Sequence, residues 1–89
     1  MPKTTTLMVP TVHLNGTSKR ELLEQLEHAH LAVKKAMTEL SKASPNARDY
    51  YVQSNVHAFS KAVDEHYDRM KRLRSVLDEL EEIAEALPV

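Results

Sequence analysis

Five histidines, three tyrosines and no cysteine define the chemistry open to these 89 residues. The lack of cysteine removes thiolate nucleophiles, thiolate zinc sites and disulfide scaffolds together. Metal ligation would then fall to imidazoles and carboxylates. His28 and His30 are two residues apart, which on a helix turns their side chains about 200° from each other. His57 and His66, nine apart, diverge as well. No His-Glu-x-x-His pair occurs, although Glu24, Glu27 and Glu65 stand near histidines and could meet them across chains. No metal and no other cofactor is expected. Serines and histidines on helix faces provide no nucleophile elbow and no carboxylate spaced to orient an imidazole, so no enzymatic activity is expected. A single glycine leaves no Gly-rich phosphate loop.

Two segments carry side chains suited to binding instead. In Val12-His13-Leu14-Asn15-Gly16-Thr17-Ser18, an imidazole, an amide and hydroxyls lead into a helix start, whose backbone N–H groups favour an anion. In Asn46-Ala47-Arg48-Asp49-Tyr50-Tyr51, two tyrosine rings can stack on a base while the guanidinium forks onto phosphate or carboxylate. Arg48, Tyr50 and Tyr51, with His13, Asn15 and Thr17, are the candidate ligand-binding residues. They imply capture of a small anionic, nucleotide-like ligand. The plainer alternative is that Tyr50 and Tyr51 cap a helical core and that Arg48 pairs with Asp49.

Periodicity reveals the elements that must position these segments. Residues 1 to 17 set Thr4, Thr5, Thr6, Thr11 and Thr17 among Leu7, Met8, Val9, Val12 and Leu14, with Pro2 and Pro10 interrupting. They read as an extended arm ending in the turn dipeptide Asn15-Gly16. No matching strand follows, so the arm's apolar side chains must lie on a helical body, its own or a partner's. Ser18-Lys19-Arg20-Glu21 is a capping box that starts a first helix over residues 18 to 43. Along it run two overlapping heptad seams: Leu22, Leu26, Ala29, Val33, Ala36, Leu40, and Leu23, Leu26, His30, Val33, Met37, Leu40. Pro45 ends the helix. A loop over 44 to 53 leads to a second helix over 54 to 87. Its seam is Val56, Phe59, Val63, His66, Met70, Leu73, Leu77, Leu80, Ala84 and Leu87, an unbroken alternation of three and four. Ser54 could cap it, or Asn46 with Asp49 three residues on, and Pro88 stops it.

The implied fold class is all-α. An antiparallel, coiled-coil-like helical hairpin occupies residues 18 to 88, preceded by the extended arm over 1 to 17. One partner helix cannot cover two overlapping seams, so the hairpin is expected to assemble into an oligomeric helical bundle, a dimer or higher. Leu23, His30 and Met37 on the first helix, with His66, Leu73, Val76, Leu80 and Ile83 on the second, form the expected oligomer interface. A histidine on such a seam sets register. Twelve basic against 13 acidic side chains, net −1, argue against a nucleic-acid partner. Arg69, Lys71, Arg72 and Arg74 read as a solvated, salt-bridged face. Asp78, Glu79, Glu81, Glu82 and Glu85 oppose the macrodipole of the second helix, and antiparallel packing would bring Lys19 and Arg20 beside them. No apolar run approaches the ~18 residues of a membrane span, and Met1-Pro2-Lys3-Thr4-Thr5-Thr6 has no signal-peptide core. No membrane partner is expected, and a cytoplasmic location is.

His13-Leu14-Asn15-Gly16-Thr17-Ser18 paired with Arg48-Asp49-Tyr50-Tyr51 across a short amphipathic helix resembles a group of small proteins carried by bacteriophages and prophages. The resemblance runs from Val12 onward and implies a phage or prophage origin and a bacterial host cytoplasm, without an activity. In size and helical-hairpin build the chain is also similar to the small oligomeric phage proteins that counter bacterial immunity. Some of those sequester cyclic nucleotide signals, and others block a defence protein directly. That likeness is architectural and carries over no residue. It implies a non-catalytic binding protein whose partner is itself plus a host protein or an anionic nucleotide-like signal. The alternative is a structural or assembly adaptor of a phage particle, or a nucleic-acid-associated accessory protein.

Overall fold

The computed structural model describes residues 4–88. Helix α1 (Lys19–Lys42), a short 3-10 helix (Ala47–Asp49) and helix α2 (Ala58–Ala86) follow in chain order, with no strand among the described residues. The helices pack against each other as an antiparallel hairpin. His30 bonds Glu81 and Ser44, just past α1, bonds His66, so partners across the hairpin have residue numbers that sum to 110 or 111. The molecule is a rod of 62 × 22 × 19 Å.

Helix α1 starts where its sequence signals. The Ser18 hydroxyl accepts the Glu21 N–H at 3.2 Å, which satisfies one of the orphan donors of the first turn, and the Ser18 carbonyl accepts Leu22 N–H at 3.0 Å in the first intrahelical bond. At its other end Ala43 N–H donates back to Leu40, and Pro45 follows.

Helix α2 starts at Ala58, four residues later than the periodicity implies. The competitor is Asn55. Its side-chain oxygen accepts His57 N–H at 2.9 Å and its carbonyl accepts Ala58 N–H at 3.1 Å, an Asx-type turn that uses the backbone a helix would need. Ser54 therefore caps nothing. Asn46, the other candidate, caps the 3-10 helix instead, accepting Arg48 N–H at 3.1 Å. Val56 falls outside the helix and is 89% exposed. The 29 residues of α2 give it a length of about 43 Å rather than the ~50 Å of a helix starting at 54.

The arm lies on its own chain. Thr5, Leu7 and Val9 are half-buried while Thr4, Thr6, Met8 and Pro10 are exposed, the two-residue alternation of extended backbone against a surface. The Thr5 hydroxyl donates to Glu82 on α2 at 3.2 Å and accepts Leu7 N–H. Among the described residues the fully buried side chains are Leu77 and Leu87, 3% and 2% exposed. The other seam residues are half-covered or exposed, because two cylinders touch along one line. No described helix is long and apolar enough to cross a membrane.

Candidate functional site

At the loop end of the hairpin, Ala47, Tyr50, Tyr51, Gln53, Asn55, Val56 and Phe59 line a depression of about 340 Å³. Tyr50 is half-buried, its ring 6.1 Å from that of Phe59 and tilted 45°, a favourable aromatic geometry. Tyr51 is 77% exposed. Arg48 is not part of this lining. Residues three apart superpose on a 3-10 helix, so Ala47 and Tyr50 share a side and Arg48 turns away from it. The depression thus presents aromatic rings, amides and hydroxyls, and none of its lining residues is cationic. The capping role of Tyr50 and the exposure of Tyr51 divide a pair that the sequence treats as equivalent.

His13, Asn15 and Thr17 stand at the other end of α1, whose 24 residues separate the two sets by about 36 Å. Gly16 N–H donates to the His13 carbonyl at 3.1 Å, closing a turn over Leu14 and Asn15. The His13 ring folds over this turn: a Cβ at Gly16 would lie 2.6 Å from His13 Nε2. Within one chain the six candidate ligand residues form two groups, not one site.

Two histidine contacts were not legible from spacing. His30 Nε2 lies 2.7 Å from Glu81 Oε1 across the hairpin. The Glu81 carboxyl is lowered below its ordinary value by that hydrogen bond first, against an opposing desolvation, with the charges of His30, Arg74 and Lys34 adding to the lowering. His66 Nε2 lies 3.1 Å from Ser44 Oγ. This is the reverse of a nucleophile–base dyad. The one Ser44 proton goes to the Ser41 carbonyl at 2.6 Å, so the imidazole must donate to Ser44 rather than receive its proton. Among the described residues no group of three His, Asp or Glu could hold a metal ion.

Apolar grooves also run along the hairpin. Leu23, Leu26, Leu80 and Ala84, with Glu27, His30 and Glu81, line one of about 330 Å³. Met37, Tyr67, Met70, Lys71 and Arg74 line another of about 330 Å³. Tyr67, Lys71, Arg74 and Glu81 recur at spacings of four, three and seven, so both grooves open on the same side. On the other side Leu40, Leu73, Arg69 and Arg72 frame a shallower opening of about 300 Å³. Of the expected interface, Leu23, His30 and Leu80 line the first groove, Met37 the second, and Leu73 the opposite side. Val76 is 44% exposed, while His66 and Ile83 are half-buried. Tyr67, 70% exposed on an otherwise charged stripe, was missed; an aromatic ring four residues before Lys71 was its signal.

The expected cross-hairpin compensation by Arg20 gives way to a local pair, Arg20 with Glu24 at 3.5 Å. Arg72–Asp68 at 3.0 Å and Arg74–Asp78 at 3.6 Å are likewise exposed pairs one turn apart, each contributing a few tenths of a kcal/mol. Compared with known protein families, with curated proteins and with solved structures, the chain matches none of them.

Proposed function

We propose that this protein is a non-catalytic interaction module, encoded by a phage or prophage, that works as a homo-oligomer in the host cytoplasm. It acts against host defence by binding and blocking a host protein through its helical faces. The observation that carries the reading is the imbalance of burial. Leu77 and Leu87 alone are buried among the described residues, while Leu23, Leu31, Phe59, Val63, Tyr67 and Val76 are between 38% and 70% exposed. A stripe of half-covered apolar side chains at helical spacing is complementary to another helix, as in helix-in-groove recognition. The phage origin rests on the resemblance of the His13–Ser18 and Arg48–Tyr51 segments, and the host target on the architectural likeness to small oligomeric phage proteins.

A specific observation favours a second reading, sequestration of a nucleotide-like ligand. Tyr50, Tyr51 and Phe59 give the loop-end depression ring faces, and Gln53 and Asn55 give it amides. The cation such a ligand needs would have to come from outside that lining, by rotation of Arg48 or from a second copy.

Sedimentation at micromolar concentration tests the first reading. A mass of at least two chains is the expected result, and a well-folded monomer of 10.1 kDa would overturn it. Thermal-shift measurement against cyclic di- and trinucleotides tests the second. A bound ligand at 100 times its Kd adds about 2.7 kcal/mol, several degrees for a domain of this size.

A further inference from the structure

We infer that the grooved side of the hairpin is occupied by a second copy of this chain, running antiparallel, with a two-fold axis crossing α2 between Arg74 and Asp78. The inference rests on the oligomeric reading above and names its interface and register.

Charge carries it. Residues 69–74 hold Arg69, Lys71, Arg72 and Arg74 and no acid, while residues 78–85 hold Asp78, Glu79, Glu81, Glu82 and Glu85 and no base. Within one helix this places five acids at the negative end of the macrodipole, where they are disfavoured. A two-fold axis at the change of sign lays each block on the opposite block of the other copy. Lys71 then faces Glu81 and Arg74 faces Asp78, twice over by symmetry.

Side matters as well. Lys71, Arg74 and Glu81 all line the two grooves, so the charge complementarity lies on the side where the apolar openings are. The same axis sets Met37, Tyr67 and Met70 of one copy toward Leu23, Leu26 and Ala84 of the other. On the opposite side the same symmetry would set Arg69 against the apolar Ile83; on the grooved side Arg74 and Glu81 exchange their in-chain partners Asp78 and His30 for the facing groups of the other copy. Overlap along α1, about 36 Å, over a width of 22 Å covers on the order of 800 Å² on each copy, which is what a stable dimer uses. The register has a consequence for the split candidate site. It brings the His13–Ser18 turn of one chain beside the Tyr50–Tyr51 loop of the other, so residues that one chain holds about 36 Å apart become neighbours.

Two measurements test it. A carbodiimide joins an amine to a carboxylate only in direct contact, and Lys71 and Glu81 of one chain are about 15 Å apart along the helix. In a mixture of isotope-labelled and unlabelled wild-type chains, a mixed-label Lys71–Glu81 adduct is expected. The second measurement is charge exchange. Lys71→Glu with Arg74→Glu, and separately Asp78→Lys with Glu81→Lys, should each weaken self-association about tenfold or more, and mixing the two variants should restore it as a heterodimer. A dimer without the adduct and without rescue overturns the register and leaves the oligomeric reading standing. A monomeric wild type overturns both. If either double variant fails to fold by circular dichroism, the wild-type adduct decides alone.

Discussion

Replacing Leu77 with alanine probes the packing on which the hairpin depends. Leu77 is 3% exposed, and the His30–Glu81 and Ser44–His66 pairs set it opposite Val33 at the middle of the seam. Buried Leu→Ala replacements cost about 2.7–5 kcal/mol, the lower values where surroundings can collapse. Two helices in line contact can close on a small void, so about 3 kcal/mol is expected here. At ~0.05–0.15 kcal/mol per residue, a chain of 89 residues has roughly 4–13 kcal/mol in all. The single change therefore removes a quarter to most of the margin. One kcal/mol moves Tm by about 4–8 °C in a domain of this size, which gives a fall of about 12–24 °C. Leu31→Ala is the control, because Leu31 sits on α1 at 55% exposure and should cost about 0.5 kcal/mol. Both are read as helicity against temperature at one protein concentration. If Leu77→Ala melts no lower than Leu31→Ala, Leu77 is not the centre of the α1–α2 contact and the described packing is wrong.

Ser18→Ala should cost about 1 kcal/mol through loss of the cap on Glu21 N–H, and Ser18→Asp should retain the wild-type Tm; equal losses in both would mean the hydroxyl is not the cap. Glu81→Gln should flatten the acid side of the stability profile. The Glu81 carboxyl is more acidic folded than unfolded, so its contribution is present above its ordinary value of 4.5 and is lost as pH falls through the folded value. Identical Tm curves for Glu81→Gln and wild type from about pH 6 to about pH 3 would show that the His30 contact does not persist in solution. Gly16→Ala should change stability by less than about 0.5 kcal/mol, since no glycine has a positive φ and the obstructing His13 ring is exposed and free to swing. A much larger loss would mean that the ring is held in place.

Helix α1 was legible to within a residue at its start because its punctuation is chemical: a serine with a glutamate three on, and a proline beyond. The start of α2 was not. Val56 continues the three-four alternation perfectly, but periodicity reports spacing and says nothing of conformation. Asn55 then takes with its side chain the His57 N–H that a Ser54 cap would have bonded, and with its carbonyl the Ala58 N–H that would have been the helix's own. The tyrosine loop was legible only in part, for a related reason. Arg48 and Tyr50 are two residues apart in sequence, and only the pitch of a 3-10 turn decides that one lines the depression and the other does not.

The charge cluster needed the most structure to read. Arg69, Lys71, Arg72 and Arg74 look like a solvated face when taken with the acids that precede them, and two of the four do pair one turn away. Knowing which side of α2 opens into the grooves separates Lys71 and Arg74 from Arg69 and Arg72 and sets them in line with Asp78 and Glu81. A surface can pair with its own copy about a two-fold axis only if opposite properties lie equidistant from one point. On α2 that point falls between Arg74 and Asp78, on the side where the seams remain half-covered. In the proposed dimer, the surplus apolar stripe that one hairpin cannot bury and the charge reversal that one helix does not need are met by the same second chain.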